Sequence, residues 1–341
     1  MRVRRGRDPL GVDEQPLGAQ RIAPTIIMPT IRFEPDSSEV MVTGPETILQ
    51  ASLRAGIPHA HACGGNAHCS TCRVAIVEGL DRCAPRSPRE SALTDRLRFP
   101  PEVRLACQTE VTGDLVVRRL IFDQDDIEVA WSMASGASPA AAGEEMELAI
   151  LFADIRGFTA VAEQLPPYDV VYLLNRYFLR VDRIVSGLGG MVDAYMGDGL
   201  MALFGLDGAA EASLAAVRAG LSMLADVERL RPHFERLYGF DFQIGVGIDH
   251  GSVVVGSIGA AGRRRVTAIG DPVNFASRIE SANKDYGTRL LVSQSVLDGI
   301  ASEVVGGRRI DAVSIRGKRG LHALHEVTAL RPHPLSGGHR P

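Results

Sequence analysis

Four cysteines carry the first chemistry that can be read from this chain. Cys63, Cys69 and Cys72 follow a C-x5-C-x2-C spacing, and 34 residues separate Cys72 from Cys107. Four thiolates are the donor set that two irons bridged by two sulfides require. A zinc site is the competing use of four cysteines. Zinc sites usually present two close pairs, whereas here three thiols share one loop and the fourth is remote. The glycines Gly64 and Gly65 inside the loop let backbone N–H groups approach a bound cluster. A fifth cysteine, Cys83, fits no position of the pattern and reads as a bystander. His59, His61 and His68 lie nearby and read as solvated loop residues.

The second chemistry is a pair of carboxylates. Asp154 ends an apolar run, Glu147–Ala153, that reads as a buried strand. Asp198 sits in the turn of Tyr195-Met-Gly-Asp-Gly199, between two strand-like runs, and Asp-Gly turns of this kind mark hairpins. Two carboxylates on neighbouring strand ends can share two divalent cations, activate a hydroxyl and neutralise a triphosphate.

The elements that position these groups fall into two regions. Residues 25–122 hold short strand-like runs at Thr25–Phe33, Val40–Thr43, Cys72–Val77 and Asp114–Ile121. A helical stretch, Thr47–Ala55, puts Ile48, Leu49 and Leu53 on one face. Residues 132–143, SMASGASPAAAG, have linker composition. Beyond them a helix opens at Pro166-Pro167 and repeats apolar residues from Val170 to Leu188. The hairpin of Met191–Tyr195 and Leu200–Phe204 follows, then a long helix over about 209–237. Strands are expected at Phe242–Asp249 and Val253–Ile258, a helix from Pro272 to about Ala282, a strand at Leu290–Val292, a helix from Ser293 and a last hairpin through Gly317–Gly320. This is an α+β pattern.

Composition narrows the function classes. The chain has 341 residues, enough for two domains, with 45% hydrophobic and 23% charged residues. A net charge of −4 makes no electrostatic case for nucleic acid or an acidic membrane as partner. No apolar run reaches the roughly 18 residues of a membrane span. Arg2, Arg4, Arg5 and Arg7 are followed by no apolar stretch, so a secretory signal is not expected. The expectation is a cytoplasmic protein. Clustered cysteines in such a chain point to a metal centre rather than to disulfides.

The cysteine region, with Pro45-Glu46-Thr47-Ile48-Leu49 before the loop, Arg73-Val74 after it and Ala106-Cys107-Gln108 late, resembles the [2Fe–2S] ferredoxins, nearer their adrenodoxin-like branch. The resemblance implies a β-grasp fold with Cys63, Cys69, Cys72 and Cys107 as cluster ligands. The second region resembles the class III adenylate and guanylate cyclases. Its motifs are Phe152-Ala-Asp154-Ile155-Arg156-Gly157-Phe158-Thr159, the Asp198 turn, and Ile269-Gly270-Asp271-Pro272-Val273-Asn274-Phe275-Ala276-Ser277-Arg278. That resemblance implies a ferredoxin-like βαββαβ domain. It assigns Asp154, Asp198 and the Ile155 carbonyl to two Mg²⁺ or Mn²⁺ ions. It assigns Asn274 and Arg278 to the transition state, and Arg316 to the terminal phosphates with Lys318 as a weaker candidate. Phe158 would border the substrate.

Two further positions are implied to read the base. Thr267 stands seven residues before Asn274, where adenylate cyclases carry Asp or Thr. Its usual partner, a lysine four residues before the second metal aspartate, is Ala194 here, so a base-reading donor is missing. In the family the metal pair and the Asn/Arg pair come from different protomers, which implies a homodimer. The organisation expected is a disordered start at 1–24, a ferredoxin-type domain at 25–122, a linker at 123–145, a cyclase domain at 146–330 and a disordered tail at 331–341. The activity expected is redox-linked conversion of ATP to cyclic AMP, with a redox partner protein for the cluster. Left open are GTP as substrate, relaxed base choice, an electron carrier, and a nucleotide-binding domain without turnover.

Overall fold

The computed structural model describes residues 28–34, 37–120, 126, 128, 143–259, 263 and 265–332. The expectations for 1–24, for nearly all of 123–142 and for 333–341 lie outside the described residues, as does most of the Gly259–Arg265 loop. No described helix is long and apolar enough to cross a membrane.

The first body is a five-stranded sheet. Its strands are β1 (Thr30–Glu34), β2 (Ser38–Met41), β3 (Arg73–Glu78), β4 (Val103–Leu105) and β5 (Leu115–Arg119), in the spatial order β2-β1-β5-β3-β4. The first strand runs parallel to the last, with Ile31 opposite Leu115 and Phe33 opposite Val117. Alternation buries Ile31 and Phe33 on β1 and Val74 and Ile76 on β3. Helix α1 (Ile48–Arg54) lays Ile48, Leu49 and Ala51 into the core. It starts at a capping box in which Thr47 and Gln50 bond each other's backbone. A sheet in which the first and last strands of the body pair in parallel, with a helix packed on it, is the β-grasp arrangement.

A second helix here, α2 (Pro88–Leu97), was not expected from the sequence, because PRESALTDRL has too few apolar residues to show a period. It is held instead by the Ser87 cap, by Pro88 in its first turn and by an ion pair. The Glu90 side chain is wholly buried and receives both Nε and Nη2 of Arg104, at 2.9 and 3.0 Å.

The second body is an eight-stranded sheet. β6 (Glu144–Ile155), β7 (Gly190–Met196), β8 (Gly199–Phe204), β9 (Ile244–Ile258), β11 (Leu290–Ser293), β12 (Val304–Ser314) and β13 (Leu321–Leu330) lie in the order β12-β13-β11-β9-β6-β8-β7, and β10 (Arg265–Ile269) pairs with β9. The helices are α3 (Phe158–Gln164), α4 (Pro167–Gly187), α5 (Ala212–Tyr238), α6 (Asp271–Tyr286) and α7 (Gln294–Ile300). The run β9-β6-β8-β7 is the ferredoxin-like order for a βαββαβ unit. Leu151, Ile155, Tyr177, Val181, Met223, Phe234 and Phe242 form the core beneath α4 and α5.

Several expectations are corrected here. Residues 242–249 and 253–258 were expected as two strands, but 244–258 is one strand. Gly251, in the gap expected between them, sits in ladder register opposite Leu148, because β6 pairs with β9 from Glu144 to Ile155. Helix α6 runs to Tyr286 rather than Ala282, and its far half buries Glu280, Ala282 and Asn283 against the sheet. Neither α3 nor β10 was expected, since each is too short to show a period.

Candidate cluster loop and active site

The cysteine loop is built on positive backbone angles. Gly64, Gly65 and Ala67 adopt φ of 64°, 88° and 57°, which turns the chain back on itself at little cost where glycine is used. The Cys63 carbonyl accepts the Asn66 side-chain amide at 2.8 Å. Thr71 Oγ1 accepts the Ala62 N–H at 2.9 Å and lies 3.1 Å from Cys69 Sγ. His59, expected to be solvated, is buried with Nε2 3.3 Å from the Cys72 carbonyl. The ring of His61 lies 2.7 Å from the His59 carbonyl. These two histidines brace the loop backbone.

None of the five cysteines is in a disulfide; Cys72 and Cys107 are buried, and Cys63 and Cys69 half-buried. Burial works against ionising Cys63. The Cys69 thiol and the backbone N–H groups of His68, Cys69 and Asn66 together overcome it and hold the Cys63 thiol below its ordinary range. Burial pushes Cys69 up. Cys107 Sγ lies 3.6 Å from the Gln108 side-chain amide. Cys63 and Cys69 are thus brought into contact. Among the described residues no group of three or more His, Cys, Asp or Glu is gathered for a metal ion. Unlinked thiols met by backbone donors are a donor set that fits an iron–sulfur cluster. Cys83 stands apart, its thiol 3.9 Å from the Gly79 carbonyl and its pKa raised by burial.

The carboxylate pair is set by strand pairing. Asp154 lies near the end of β6, and Asp198 is in the β7–β8 turn beside Gly197, whose φ is 66°. Ala153 registers with Leu200 across the β6–β8 ladder. Gly199 permits the approach: a Cβ there would meet the Ala153 carbonyl and Asp154 Oδ2, each at 3.2 Å. Burial and then the charge of Asp154 raise Asp198, against the pull of the Asp198 and Ile155 backbone N–H groups and of Lys284. Beneath the pair, the wholly buried Tyr177 phenol is pushed far up by burial, with Asp154, Asp198 and Glu280 adding to it. A carboxylate raised by burial and by a neighbouring carboxylate belongs to a donor set that divalent cations relieve. Ile155 is buried, and Phe158, at the first position of α3, packs against the core.

A second cluster of expected residues lies along α6. Asn274 and Arg278 are one turn apart on the same helix face, and Asn274 Nδ2 lies 3.4 Å from the Gly270 carbonyl. Together with Arg316 they line a cleft of about 480 Å³ that also includes Ser277, Ser281 and Asp285. Gly317, with φ of 80°, leaves room for the Arg278 guanidinium; a Cβ there would sit 3.1 Å from it. Lys318 points elsewhere: it pairs with the Asp271 carboxylate and stands 4.6 Å over the Phe275 ring. Neither Asp154 nor Asp198 lines this cleft.

The two base-reading positions lie on β10 and β7. Thr267, on β10, donates its hydroxyl to Asp193 Oδ2 at 2.7 Å. Ala194, on β7, is buried in an apolar cluster with Leu148, Met201, Ala268 and Ala276. The reason is a register shift between Val192 and Ala194 in the β7–β8 ladder, which leaves Asp193 facing Thr267. Nothing in the sequence singles out Asp193. Its only signal is a carboxylate next to the expected lysine position.

The comparisons with known proteins cover both regions of the chain. The family described as Adenylate and Guanylate cyclase catalytic domain matches residues 141–327, and the 2Fe-2S iron-sulfur cluster binding domain matches residues 31–112. An adenylate cyclase of Anabaena cylindrica is 35% identical over 194 residues, which is 55% of this chain and 38% of that protein. Adenylate cyclase 1 of Rhizobium meliloti is 33% identical over 58% of this chain and 30% of its own length. The match therefore spans under two fifths of these curated relatives. Among solved structures, the guanylyl cyclase Cya2 superposes with a TM-score of 0.52 at 30% identity, covering 57% of this chain and 97% of that one. The adenylyl cyclase CyaB from P. aeruginosa does so with a TM-score of 0.50 at 30% identity, covering 54% and 95%.

Proposed function

The chain belongs to the adenylate and guanylate cyclase catalytic domain family and carries a 2Fe-2S iron-sulfur cluster binding domain ahead of it, and on that premise we propose that it makes cyclic AMP and pyrophosphate from ATP under control of its cluster. The observation that carries the reading is the approach of Asp154 and Asp198 at the end of the β6–β8 ladder, in a chain that also lines one cleft with Asn274, Arg278 and Arg316. In the proposed reaction the ribose 3′-oxygen bonds to the α-phosphorus. The bond from that phosphorus to pyrophosphate breaks, and the hydroxyl proton leaves to water. Two Mg²⁺ or Mn²⁺ ions, held by Asp154, Asp198 and the Ile155 carbonyl, would supply activation of the hydroxyl and charge neutralisation of the triphosphate.

The side chains do the rest. Arg278 offers a planar fork of donors to the α-phosphate, where charge develops. Asn274 orients the ribose, and Arg316 holds the terminal phosphates. Such positioning supplies rate by holding an in-line geometry, with no covalent intermediate. The carboxylate pair and the cleft are separate places on one chain. A complete site therefore needs the carboxylates of one protomer and the cleft of another, and this supports a head-to-tail homodimer with two sites.

The cysteine loop supports redox control. A cluster on Cys63, Cys69, Cys72 and Cys107 would change the charge of the first domain by one electron. The test is nucleotide turnover by cluster-loaded protein, with ATP and with GTP, kept anaerobic in the oxidised and reduced states. Cyclic AMP formed at rates that differ between the states is expected. Equal rates with the cluster intact overturn the redox link, and no cyclic product from either nucleotide overturns the cyclase reading. GTP turning over faster than ATP moves the substrate to guanine.

A further inference from the structure

One buried carboxylate has no part in the chemistry above. The Asp193 side chain is fully buried. Its Oδ2 accepts from Thr267 Oγ1 at 2.7 Å and lies 3.4 Å from the Arg265 guanidinium. Its Oδ1 is also buried and has no hydrogen-bond partner. An orphaned oxygen inside a protein is costly, and one in a native site asks for a reason.

The reason lies in the direction of one proton. An ionised carboxylate can only accept, so the Thr267 hydroxyl is committed to donate to Asp193. Arg265 completes the pair as a donor to the same oxygen. With its hydrogen spent inward, Thr267 can present only lone pairs outward. The two purine bases differ at the atom such a group would meet. Adenine carries an amino donor at ring position six, and guanine carries an oxygen acceptor there. An acceptor-only threonine bonds the first and repels the second.

We propose that Asp193 is a positioning residue that sets base choice: by fixing Thr267 as an obligate acceptor it makes the site prefer ATP over GTP, without a lysine at Ala194. This rests on the reading above that Thr267 faces the base. It also assigns the β7–β8 irregularity a purpose, since the register shift between Val192 and Ala194 brings Asp193 rather than residue 194 to Thr267.

The test reads the ATP-to-GTP ratio of kcat/KM in cluster-loaded protein. Asp193→Leu removes the acceptor and lets the Thr267 hydroxyl rotate. The ratio is expected to fall about tenfold, the discrimination one hydrogen bond supplies. Asp193→Asn is expected to keep the ratio, because an amide oxygen at the Oδ2 position still accepts from both Thr267 and Arg265. Thr267→Val should lower the ratio as Asp193→Leu does, and the double variant should fall no further than either. If Asp193→Leu fails to fold by circular dichroism, Asp193→Ala takes its place.

An unchanged ratio in the acceptor-removing variant overturns the proposal. So does an Asn variant that behaves like the Leu variant, or a double variant whose losses multiply. The same preference is read by equilibrium binding of ATP and GTP. A wild type that binds ATP more tightly than GTP but forms no product therefore overturns the cyclase reading and leaves this one standing. A wild type that binds neither overturns both.

Discussion

Three of the four cysteines expected to act together lie within ten residues of one another, Cys63 to Cys72, on one loop. The groups expected to act on nucleotide come from β6, the β7–β8 turn, β10, α6 and the β12–β13 turn. The first arrangement is local. Its geometry comes from positive backbone angles and short-range bonds such as Asn66 to the Cys63 carbonyl. The second is made by a long ladder and by helix packing, so residues far from the chemistry decide whether it exists. A local site should respond only to changes inside its loop. A distributed site should respond to changes anywhere in the frame that registers it.

The widest expected contrast comes from removing one group from each region. Asp154→Ala should cut cyclic nucleotide formation by about a thousandfold while the visible absorbance of the cluster stays. Cys72→Ser should do the reverse to the absorbance, and its turnover rate in each redox state shows how far the regions are coupled. Loss of both signals in both variants would break the comparison.

Next in size is Gly247→Ala. A Cβ there would sit 2.1 Å from the Glu280 backbone nitrogen on α6, so the helix carrying Asn274 and Arg278 must move. Overpacking of this kind costs about 1–3 kcal/mol, and turnover should fall with it. Urea unfolding and a turnover assay check both. Full activity in a folded variant would show that the cleft tolerates displacement of α6.

A smaller effect is expected at Asp226, on α5. Both oxygens of its carboxylate take the Arg180 guanidinium of α4, at 2.5 and 2.7 Å. That bond holds Asp226 below its ordinary range, against burial. A carboxylate lowered by folding stabilises the fold above its unfolded pKa and stops doing so as pH falls through its folded one. Asp226→Asn should therefore cost about 2 kcal/mol at pH 7, and the difference should narrow below about pH 4. Urea unfolding at several pH values measures it. A difference that stays constant with pH would mean that packing, and not charge, joins α4 to α5. The smallest effect belongs to the first region. Thr47→Ala breaks the capping box of α1 and should cost about 1 kcal/mol, with cyclase turnover unchanged. A change in turnover would sharpen the case that the two regions communicate.

Much of this was legible before any coordinates. The C-x5-C-x2-C spacing, the strand-end Asp154, the Asp-Gly hairpin at Asp198 and the α6 motif are short-range patterns, and each stands where local physics puts it. Elements without a period were not legible. Helix α2 is held by the buried Glu90–Arg104 pair rather than by an apolar stripe. The break expected at Gly251 is absent because β6 pairs straight across it. The contact of Asp193 with Thr267 was not legible, because a one-residue shift in a ladder exchanges the faces of a strand, and distance along the chain does not record that shift.

The resemblance to two families, the spacing of the cysteines and the placing of Asp154 and Asp198 at strand ends could be read from the chain alone, because residue type and local spacing need no tertiary contact. Only the tertiary structure decided which carboxylate meets Thr267, that Asn274, Arg278 and Arg316 line one cleft apart from Asp154 and Asp198, and that Lys318 turns to Asp271. Those relations join residues from 38 positions apart, Arg278 to Arg316, to 74 apart, Asp193 to Thr267. They are set by strand register and helix packing, which balance energies summed over the whole sheet and are written in no single segment.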